Sequence, residues 1–177
     1  MKLYIVRHGQ TDGNVNKIMD GVRDIDLNES GIEQAKTTRD ALKNINFDLV
    51  ICSPLSRTKH TMEIININHT EVIFDDRIKE RDCGEFTGKG FDSLDRNLYW
   101  NYFDKTSYEK SESMEHLFNR VYLFLDEIKE KYKDKTILLV THEGITKVIN
   151  CYFNGIPEDG NLQTLGLKNC EVKEYLL

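Results

Sequence analysis

The sequence contains no long apolar run and no cluster of basic residues. No stretch reaches the roughly 18 consecutive apolar residues of a membrane-spanning helix, and no basic N-terminal region precedes an apolar signal core. The formal net charge is −6, with 30 acidic and 24 basic residues. An acidic chain without a basic arm is a poor partner for nucleic acid or for an anionic membrane. We therefore expect an intracellular, cytoplasmic protein that binds neither nucleic acid nor membrane.

Cysteine and proline are scarce as well. The four cysteines form no CxxC pair, and a chain of 177 residues can bury a core without disulfides, so free thiols are expected. The two prolines, Pro54 and Pro157, mark no proline-rich linker, and the chain has no internal repeat or low-complexity tract. These features predict a single domain over residues 1–177.

Short apolar segments alternate with longer segments that suit helices. The predicted strands are 2–6, 48–52, 71–74, 136–140 and 171–176. The predicted helices are about 29–43, 54–66, 113–132 and 144–153, and a polar and aromatic stretch occupies 80–112. This alternation predicts an α/β fold, a three-layer sandwich with a mainly parallel sheet and helices on both faces. Such sheets bind ligands outside the carboxyl ends of their strands, so functional residues are expected there.

Three of the predicted strands end in cationic or imidazole side chains. The segment LYIV is followed by Arg7 and His8, DLVIC runs into SPLSRT with Arg57, and TILLV runs into THEG with His142. Because the carboxyl ends of parallel strands share one edge, two guanidinium groups and two imidazoles are expected to converge there. Such a group suits an anion, above all a phosphate.

The segment after the second strand supports an anion site on local grounds. Ser53 suits an N-cap and Pro54 a first helical position, which predicts a helix whose positive end faces the strand edge. Arg57, in the first turn of that helix, opposes the helix dipole. A residue that works against local stability is more easily explained by function.

Other phosphate chemistries fit these residues poorly. Four residues separate Cys52 from Arg57, whereas the loop of cysteine phosphatases needs five, and Pro54 removes one amide that would bind the phosphate. The segment DID at 24–26 follows GVR instead of the buried strand of an aspartyl-phosphate loop, and no GxxxxGK[ST] loop is present. A metal held by His8, His142 and a carboxylate is disfavoured because two arginines at the same edge would repel it. We expect neither a metal nor another cofactor.

A histidine nucleophile is the remaining interpretation. Neutral imidazole attacks phosphorus, and Arg7 and Arg57 would disfavour the protonated form of His8. An alkoxide leaving group needs a proton, and the same acid can later activate water. The candidate acids in DRIKERDCGEFTGKG are Glu80 and Glu85, and the physics of the residues alone does not choose between them.

Four motifs occur in an order that resembles the histidine phosphatase superfamily, in the branch that includes the cofactor-dependent phosphoglycerate mutases. They are RHGQTDGN, SPLSRTKHT, KERDCGEFTG and VTHEG, and the resemblance extends from Leu3 to about Cys151. It implies a phosphoglycerate mutase-like fold. The secreted acid phosphatases of this superfamily carry RHG-x-R-x-P, and this chain has Gln10-Thr11-Asp12 instead, so it resembles the intracellular branch.

The resemblance also implies roles for individual residues. His8 would be phosphorylated, and the glutamate of the family's E-x-x-x-G stretch matches Glu80, with Gly84 following. The residues that the resemblance places around the phosphoryl group are Arg7, Arg57, His142, Asn14 and Gln10. The predicted function is a metal-independent phosphatase that hydrolyses a small phosphorylated metabolite through phosphohistidine. A phosphoglycerate mutase and a phosphate-binding module with little turnover are the alternatives.

Two features depart from the family pattern. Glu143 follows His142 where many members carry a small residue, so a carboxylate beside the anion site is expected to influence substrate choice. The segment at about 86–112 is shorter than in the mutases and rich in aromatic residues. It is either a small lid that selects the alcohol part of the substrate or a segment that packs its apolar face on the core.

Overall fold

A five-stranded sheet forms the centre of the protein. The structure, a computed structural model, describes residues 1–66 and 68–176. The strands are β1 (Lys2–Arg7), β2 (Leu49–Cys52), β3 (Val72–Phe74), β4 (Thr136–Thr141) and β5 (Val172–Leu176), in the order β3-β2-β4-β1-β5. The pairs β1–β4, β2–β4 and β2–β3 are parallel, and only β5 is antiparallel to its neighbour β1 within the described residues. The predicted mainly parallel sheet is confirmed.

Helices cover both faces of this sheet. They are α1 (Asp12–Val15), α2 (Glu29–Leu42), α3 (Ser56–Ile65), α4 (Arg96–Tyr99), α5 (Met114–Lys131) and α6 (Glu143–Asn154). Successive residues of β1 point to opposite faces, so Val6 packs with Leu42 of α2 while Ile5 packs in the cluster that holds Leu117 of α5. Residues of α3 pack in the cluster of Val6 and Leu42, and residues of α6 pack in the cluster of Ile5 and Leu117. The predicted three-layer arrangement is confirmed, and none of the described helices has the length and apolar character needed to cross a membrane.

The start of α3 differs from the prediction. The helix begins at Ser56, and its N-cap is Leu55, which makes no side-chain cap hydrogen bond. Ser53 is not the N-cap, because its Oγ lies 2.7 Å from Nε2 of His142 and its carbonyl accepts a hydrogen bond from Oγ1 of Thr58. The predicted cap at Ser53 is therefore wrong, and this side chain belongs to the edge where the strands end.

Residues 80–112 contain short helical elements that the sequence pattern does not predict. These are α4 and the 3₁₀ helices Gly84–Phe86 and Phe91–Ser93. The polar backbone of this segment is tied to its surroundings, since the amide of Glu112 donates to the carbonyl of Asp82 and the amide of Tyr102 donates to the carbonyl of Gly160. These hydrogen bonds fix the backbone of residues 80–112.

Candidate active site

His8 lies at the carboxyl end of β1 with its ring fixed in one orientation. Its Nδ1 is 2.7 Å from the carbonyl oxygen of Gly9, and its backbone amide donates to the carbonyl of Thr141 on β4. A carbonyl oxygen only accepts hydrogen bonds, so Nδ1 carries the proton in the neutral ring. Nε2 then keeps its lone pair. Because the side chain lines a cavity of about 80 Å³, this nitrogen is available to a ligand there.

The second imidazole, His142, lies beside the first. The ring centroids of His8 and His142 are 5.3 Å apart. His142 is fully buried, and its Nε2 is 2.7 Å from Oγ of Ser53. Its Nδ1 has no hydrogen-bond partner among the described residues. A buried ring nitrogen without a protein partner is suited to hydrogen-bond a bound ligand.

Two arginines bring positive charge to the same cavity. Arg57 is buried, and its guanidinium donates to the backbone carbonyls of Arg23 and Gly21 at 2.8 and 2.7 Å. Arg7 donates to the carbonyl of Leu167 at 2.9 Å, and its buried Nε has no partner among the residues described. Backbone carbonyls fix each guanidinium without neutralising its charge. Arg57 and the unpartnered Nε of Arg7 therefore remain able to bind a phosphate anion, while Nη1 of Arg7 also pairs with Glu143.

Burial and these arginines keep both histidines unprotonated. Desolvation lowers the pKa of His8 well below its ordinary value, and the positive charges of Arg57 and Arg7 lower it further. Desolvation likewise lowers the pKa of His142, with Arg57 again contributing. A neutral His8 with a free Nε2 has the protonation state that a nucleophile needs.

Glu80 reaches the cavity, whereas Glu85 does not. The carboxylate of Glu80 accepts hydrogen bonds from the amide of Arg81 at 2.8 Å and from the amide of Gly144 at 3.1 Å. A Cβ at Gly144 would lie only 2.3 Å from Oε1 of Glu80, so the glycine makes this approach possible. Glu85 is exposed and accepts a hydrogen bond from the amide of Glu109. The structure thus places one of the two candidate acids at the site.

Desolvation raises the pKa of Glu80 above its ordinary value. The hydrogen bonds from the Arg81 and Gly144 amides and the charge of Arg57 oppose this shift without cancelling it. A carboxyl group whose pKa is raised stays protonated closer to neutral pH. Such a group is suited to donate a proton to a leaving group.

The two remaining predicted residues occupy different positions. Asn14 lines the cavity, and its Oδ1 accepts hydrogen bonds from the Thr11 amide and from Nδ2 of Asn169. The side chain of Gln10 turns toward the start of α2, where its Oε1 accepts a hydrogen bond from Asn28 at 3.2 Å. The structure brings Asn14 to the other site residues and does not bring the Gln10 side chain there.

Several residues were not predicted from the sequence, among them Asn169, which supports the cavity without lining it. Asn169 precedes β5 and donates to the carbonyl of His8 at 3.0 Å, which anchors the backbone of the candidate nucleophile. Further residues that line the cavity are Met19, Asp20, Phe91, Arg96, Tyr99 and Trp100. The aromatic content of 86–112 was the only signal for the last members of this group. Asn169 lies in a loop with no motif, so nothing in the local sequence marks it.

Part of the aromatic segment packs on the core, as one of the two interpretations expects, and its action as a lid stays a prediction. Tyr99 and Trp100 are almost fully buried in the main core cluster, and both line the cavity. Phe103, by contrast, is 55% exposed. The same side chains therefore pack on the core and form one wall of the site.

Glu143 contacts the candidate phosphate-binding group directly. Its carboxylate lies 3.0 Å from Nη1 of Arg7 and 3.1 Å from Nζ of the buried Lys147. Burial alone would raise the pKa of Glu143, but these two cations hold it below its ordinary value. The carboxylate is thus charged, and it compensates the buried cations on either side of it.

Comparison with known proteins agrees with this geometry. The sequence model of the histidine phosphatase superfamily, branch 1, matches residues 3–176. The chain is 32% identical over 166 residues to the uncharacterized phosphatase PhoE of Bacillus subtilis, which covers 93% of this chain and 82% of that protein. It is 31% identical over 163 residues to phosphoserine phosphatase 1 of Hydrogenobacter thermophilus, covering 88% of this chain and 77% of that one.

A solved structure shows the same architecture. The phosphoserine phosphatase of Entamoeba histolytica, solved with 3-phosphoglyceric acid, superposes with a TM-score of 0.84 at 26% identity. The match covers 99% of this chain and 90% of that one.

Proposed function

The chain belongs to the histidine phosphatase superfamily, and we propose that it hydrolyses small phosphomonoesters through a phosphohistidine on His8. The observation that carries the proposal is the hydrogen bond from Nδ1 of His8 to the carbonyl of Gly9, because it leaves Nε2 free in a cavity that Arg57 and Glu80 also line. Relatives named as phosphatases, among them a phosphoserine phosphatase, support a small phosphorylated metabolite as the substrate. The cytoplasmic location remains a prediction.

The first step transfers the phosphoryl group to the protein. Nε2 of His8 attacks phosphorus and forms a P–N bond while the ester P–O bond breaks. The departing oxygen takes the proton of Glu80, so the alcohol leaves in its neutral form. Arg7 and Arg57 bind the phosphoryl oxygens, whose charge must be stabilised in the transition state. We expect His142 to donate to the same group from Nδ1, in the tautomer in which its Nε2 accepts a hydrogen bond from Ser53.

The second step returns the site to its starting state. Glu80, now ionised, accepts a proton from a water molecule as that water attacks the phosphohistidine. The P–N bond breaks, its electron pair returns to Nε2 of His8, and inorganic phosphate is released. The two reaction steps together require one carboxyl group that acts first as an acid and then as a base. The raised pKa of Glu80 favours this alternation.

The covalent intermediate gives the first prediction. Brief incubation with substrate labelled in its phosphate group should place label on the protein as a phosphoramidate, which survives alkali and decays in acid. His8→Ala should abolish both label and turnover. The matched control is His60→Ala, since His60 lies on the surface and pairs with Asp26. That variant should label and turn over like the wild type.

A chelator tests the metal-independent character of the same reaction. EDTA should leave turnover of the wild type unchanged. Strong inhibition by EDTA that a divalent metal reverses would contradict the proposed mechanism, and so would labelling of the His8→Ala variant to the wild-type level.

A further inference from the structure

An arginine of α5 holds the backbone that carries Glu80. The guanidinium of Arg120 donates from Nη2 to the carbonyl of Glu80 at 3.3 Å and from Nη1 to the carbonyl of Arg77 at 2.5 Å. These contacts lie on the backbone, whereas the carboxyl group of Glu80 reaches the cavity. Arg120 therefore hydrogen-bonds the backbone of the segment 77–80 at two points and does not line the cavity.

The carbonyl that Arg120 binds belongs to a functionally placed peptide unit. The carbonyl of Glu80 and the amide of Arg81 are parts of one planar peptide group. That amide donates to Oε1 of Glu80 at 2.8 Å and so orients the carboxyl group. Because the unit is rigid, fixing its carbonyl also fixes the direction of its N–H. Arg120 thus acts on the carboxyl orientation through a single peptide plane.

Glu112 completes this support. Its carboxylate binds Arg120 at two points, 2.6 Å to Nε and 2.8 Å to Nη2. The side chains of Glu112 and Arg120 are only 9% and 14% exposed, so the pair is largely shielded from water. The Glu112 backbone also accepts a hydrogen bond from Nε of Arg81 and donates one to the carbonyl of Asp82. The pair therefore holds both ends of the segment from Arg77 to Asp82.

We propose that Arg120, held by Glu112, is a positioning residue that sets the reach of the Glu80 carboxyl group toward the leaving-group oxygen. The inference rests on the proposed function, in which Glu80 donates the proton. A general acid must come within hydrogen-bond distance of the oxygen it protonates, and a displacement of about 1 Å by a remote substitution can cost on the order of 100-fold in rate. The Gly144 amide contacts the carboxylate of Glu80 and does not hold its peptide group.

The test uses a series of phosphate esters whose alcohols differ in acidity. Nitrophenyl phosphate needs little help from an acid, whereas an alkyl phosphate needs much. The variant is the neutral pair Glu112→Gln with Arg120→Met, because replacing Arg120 alone would leave a buried carboxylate without its partner. We expect kcat/KM, which reports the steps up to departure of the alcohol, to fall by about tenfold or more for the alkyl phosphate and by less than about threefold for the aryl phosphate. Arg120→Lys, which keeps the charge with fewer donors, should give an intermediate loss.

Arg77 supplies the matched control. Its side chain binds Asp75 and also Glu127 of α5, so it ties the same helix to the same segment without contacting Glu80. Arg77→Met should lower the midpoint of thermal unfolding yet keep the ratio of aryl to alkyl turnover at its wild-type value. An equal loss on both esters in the Glu112→Gln, Arg120→Met variant would overturn the inference, and so would a changed ratio in Arg77→Met.

The Glu80→Gln background separates this inference from the proposed function. Glu80→Gln should itself lower kcat/KM much more for alkyl phosphates than for aryl phosphates, because kcat/KM excludes the later hydrolysis step that Glu80 also serves. Adding the Glu112→Gln and Arg120→Met changes to that variant should then produce no further change in the ratio, because Arg120 acts only through Glu80. A further change would overturn the positioning role alone. If Glu80→Gln lowers kcat/KM equally for both esters, Glu80 is not the acid, and both proposals fall.

Discussion

The site residues are held in place by backbone groups more than by one another. Gly9, Arg81 and Gly144 each use a main-chain atom to orient a reacting side chain, and Leu167 does the same for Arg7. Backbone groups are rigid and carry no net charge, so they fix orientation without competing with a phosphate for the arginines. The charges that do compete, such as that of Glu143, are paired with more than one cation.

Burying two neutral histidines makes the stability of the fold depend on pH. The pKa values of His8 and His142 lie well below the ordinary value of about 6.5 in the folded protein. As the pH falls below 6.5, the unfolded chain binds protons at these positions and the folded chain does not. The free energy of unfolding should therefore fall by at most about 1.4 kcal/mol per pH unit for each histidine.

Urea unfolding between pH 7.5 and 5 checks this prediction. Glu80 acts in the opposite sense, because its raised pKa makes the folded state bind its proton more tightly. A comparison between variants isolates the histidine contribution from this opposing one. His142→Gln should give a shallower acid dependence than the wild type. An identical slope in the two proteins would show that His142 is not neutral in the folded state.

The sequence predicts most of the reacting residues because they follow strands. His8 and His142 lie directly after buried strands, and Arg57 lies in the first turn of the helix that follows β2, so the parallel sheet brings all three to one edge. Glu80 is harder to predict from the sequence, because it lies in an irregular segment where Glu85 is an equally plausible acid on physical grounds. Only the family motif favoured Glu80, and the structure places its carboxyl group in the cavity. The side chain of Gln10 shows the limit of a motif, because its direction depends on α2.

At the scale of elements, the loop after β1 rests on the start of α2. A Cβ on Gly9 would lie 2.5 Å from the carbonyl oxygen of Gly31, and a Cβ on Gly31 would lie 2.2 Å from the carbonyl oxygen of Gln10. The Gln10 carbonyl also accepts a hydrogen bond from the Asn28 amide. Two glycines therefore allow backbone to meet backbone next to the nucleophile. α2 thereby fixes the path of the chain that carries His8.

The substitution Gly31→Ala should push α2 away from the loop that follows β1. The added methyl must displace the backbone of Gln10, and such overpacking costs about 1–3 kcal/mol, partly offset by the roughly 1 kcal/mol higher helix propensity of alanine. We expect a net loss of about 0–2 kcal/mol in stability. The loss in kcat/KM should be larger, about tenfold or more, because the displacement begins two residues from His8.

Kinetics and thermal unfolding of the variant measure both effects. The matched control is Ser30→Ala, since Ser30 is the preceding residue of the same helix and is exposed. That variant should keep the activity and stability of the wild type. If Gly31→Ala keeps full activity, the contact between α2 and the loop does not position His8.

The accuracy of the predicted elements follows their burial and length. The predicted strands agree with β1 to β5 within one residue. β1 to β4 have apolar central residues, whereas β5 carries Lys173 and Glu174 and is only partly buried. α1 and α4, each four residues long, escaped prediction because so short a helix shows no periodicity. The start of α3 was misplaced because Ser53 has the preference of an N-cap but is engaged by His142. The contact between Ser53 and His142 thus outweighs the local preference of serine for an N-cap position.

At the scale of the whole molecule, the site differs in charge from the rest of the chain. The net charge is −6, yet Arg7 and Arg57 bring positive charge to the cavity and are largely withdrawn from solvent. A phosphate ester is therefore recognised by a local field and not by the overall charge. The two core clusters share the strands of one sheet, which supports the prediction of a single domain over 1–177.

The cover of the cavity decides whether water or a second substrate meets the phosphohistidine. A mutase must exclude water while its substrate reorients, and this requires a cover that closes over the site. Here the wall of the cavity includes Tyr99 and Trp100, which are fixed in the core, and residues 104–108, which form no regular element, do not line the cavity. A wall that is fixed in the core does not close over a bound substrate, so it is a poor barrier to water. We therefore predict that hydrolysis exceeds phosphoryl transfer by a wide margin.

Both products can be followed in one reaction. The protein is supplied with 3-phosphoglycerate and a trace of 2,3-bisphosphoglycerate, and free phosphate and 2-phosphoglycerate are measured together. Phosphate should appear much faster than 2-phosphoglycerate, because water reaches the intermediate with Glu80 as its base. His8→Ala should produce neither, which ties both measurements to the same intermediate. If 2-phosphoglycerate forms much faster than phosphate, the site excludes water despite its short cover, and the chain acts as a mutase.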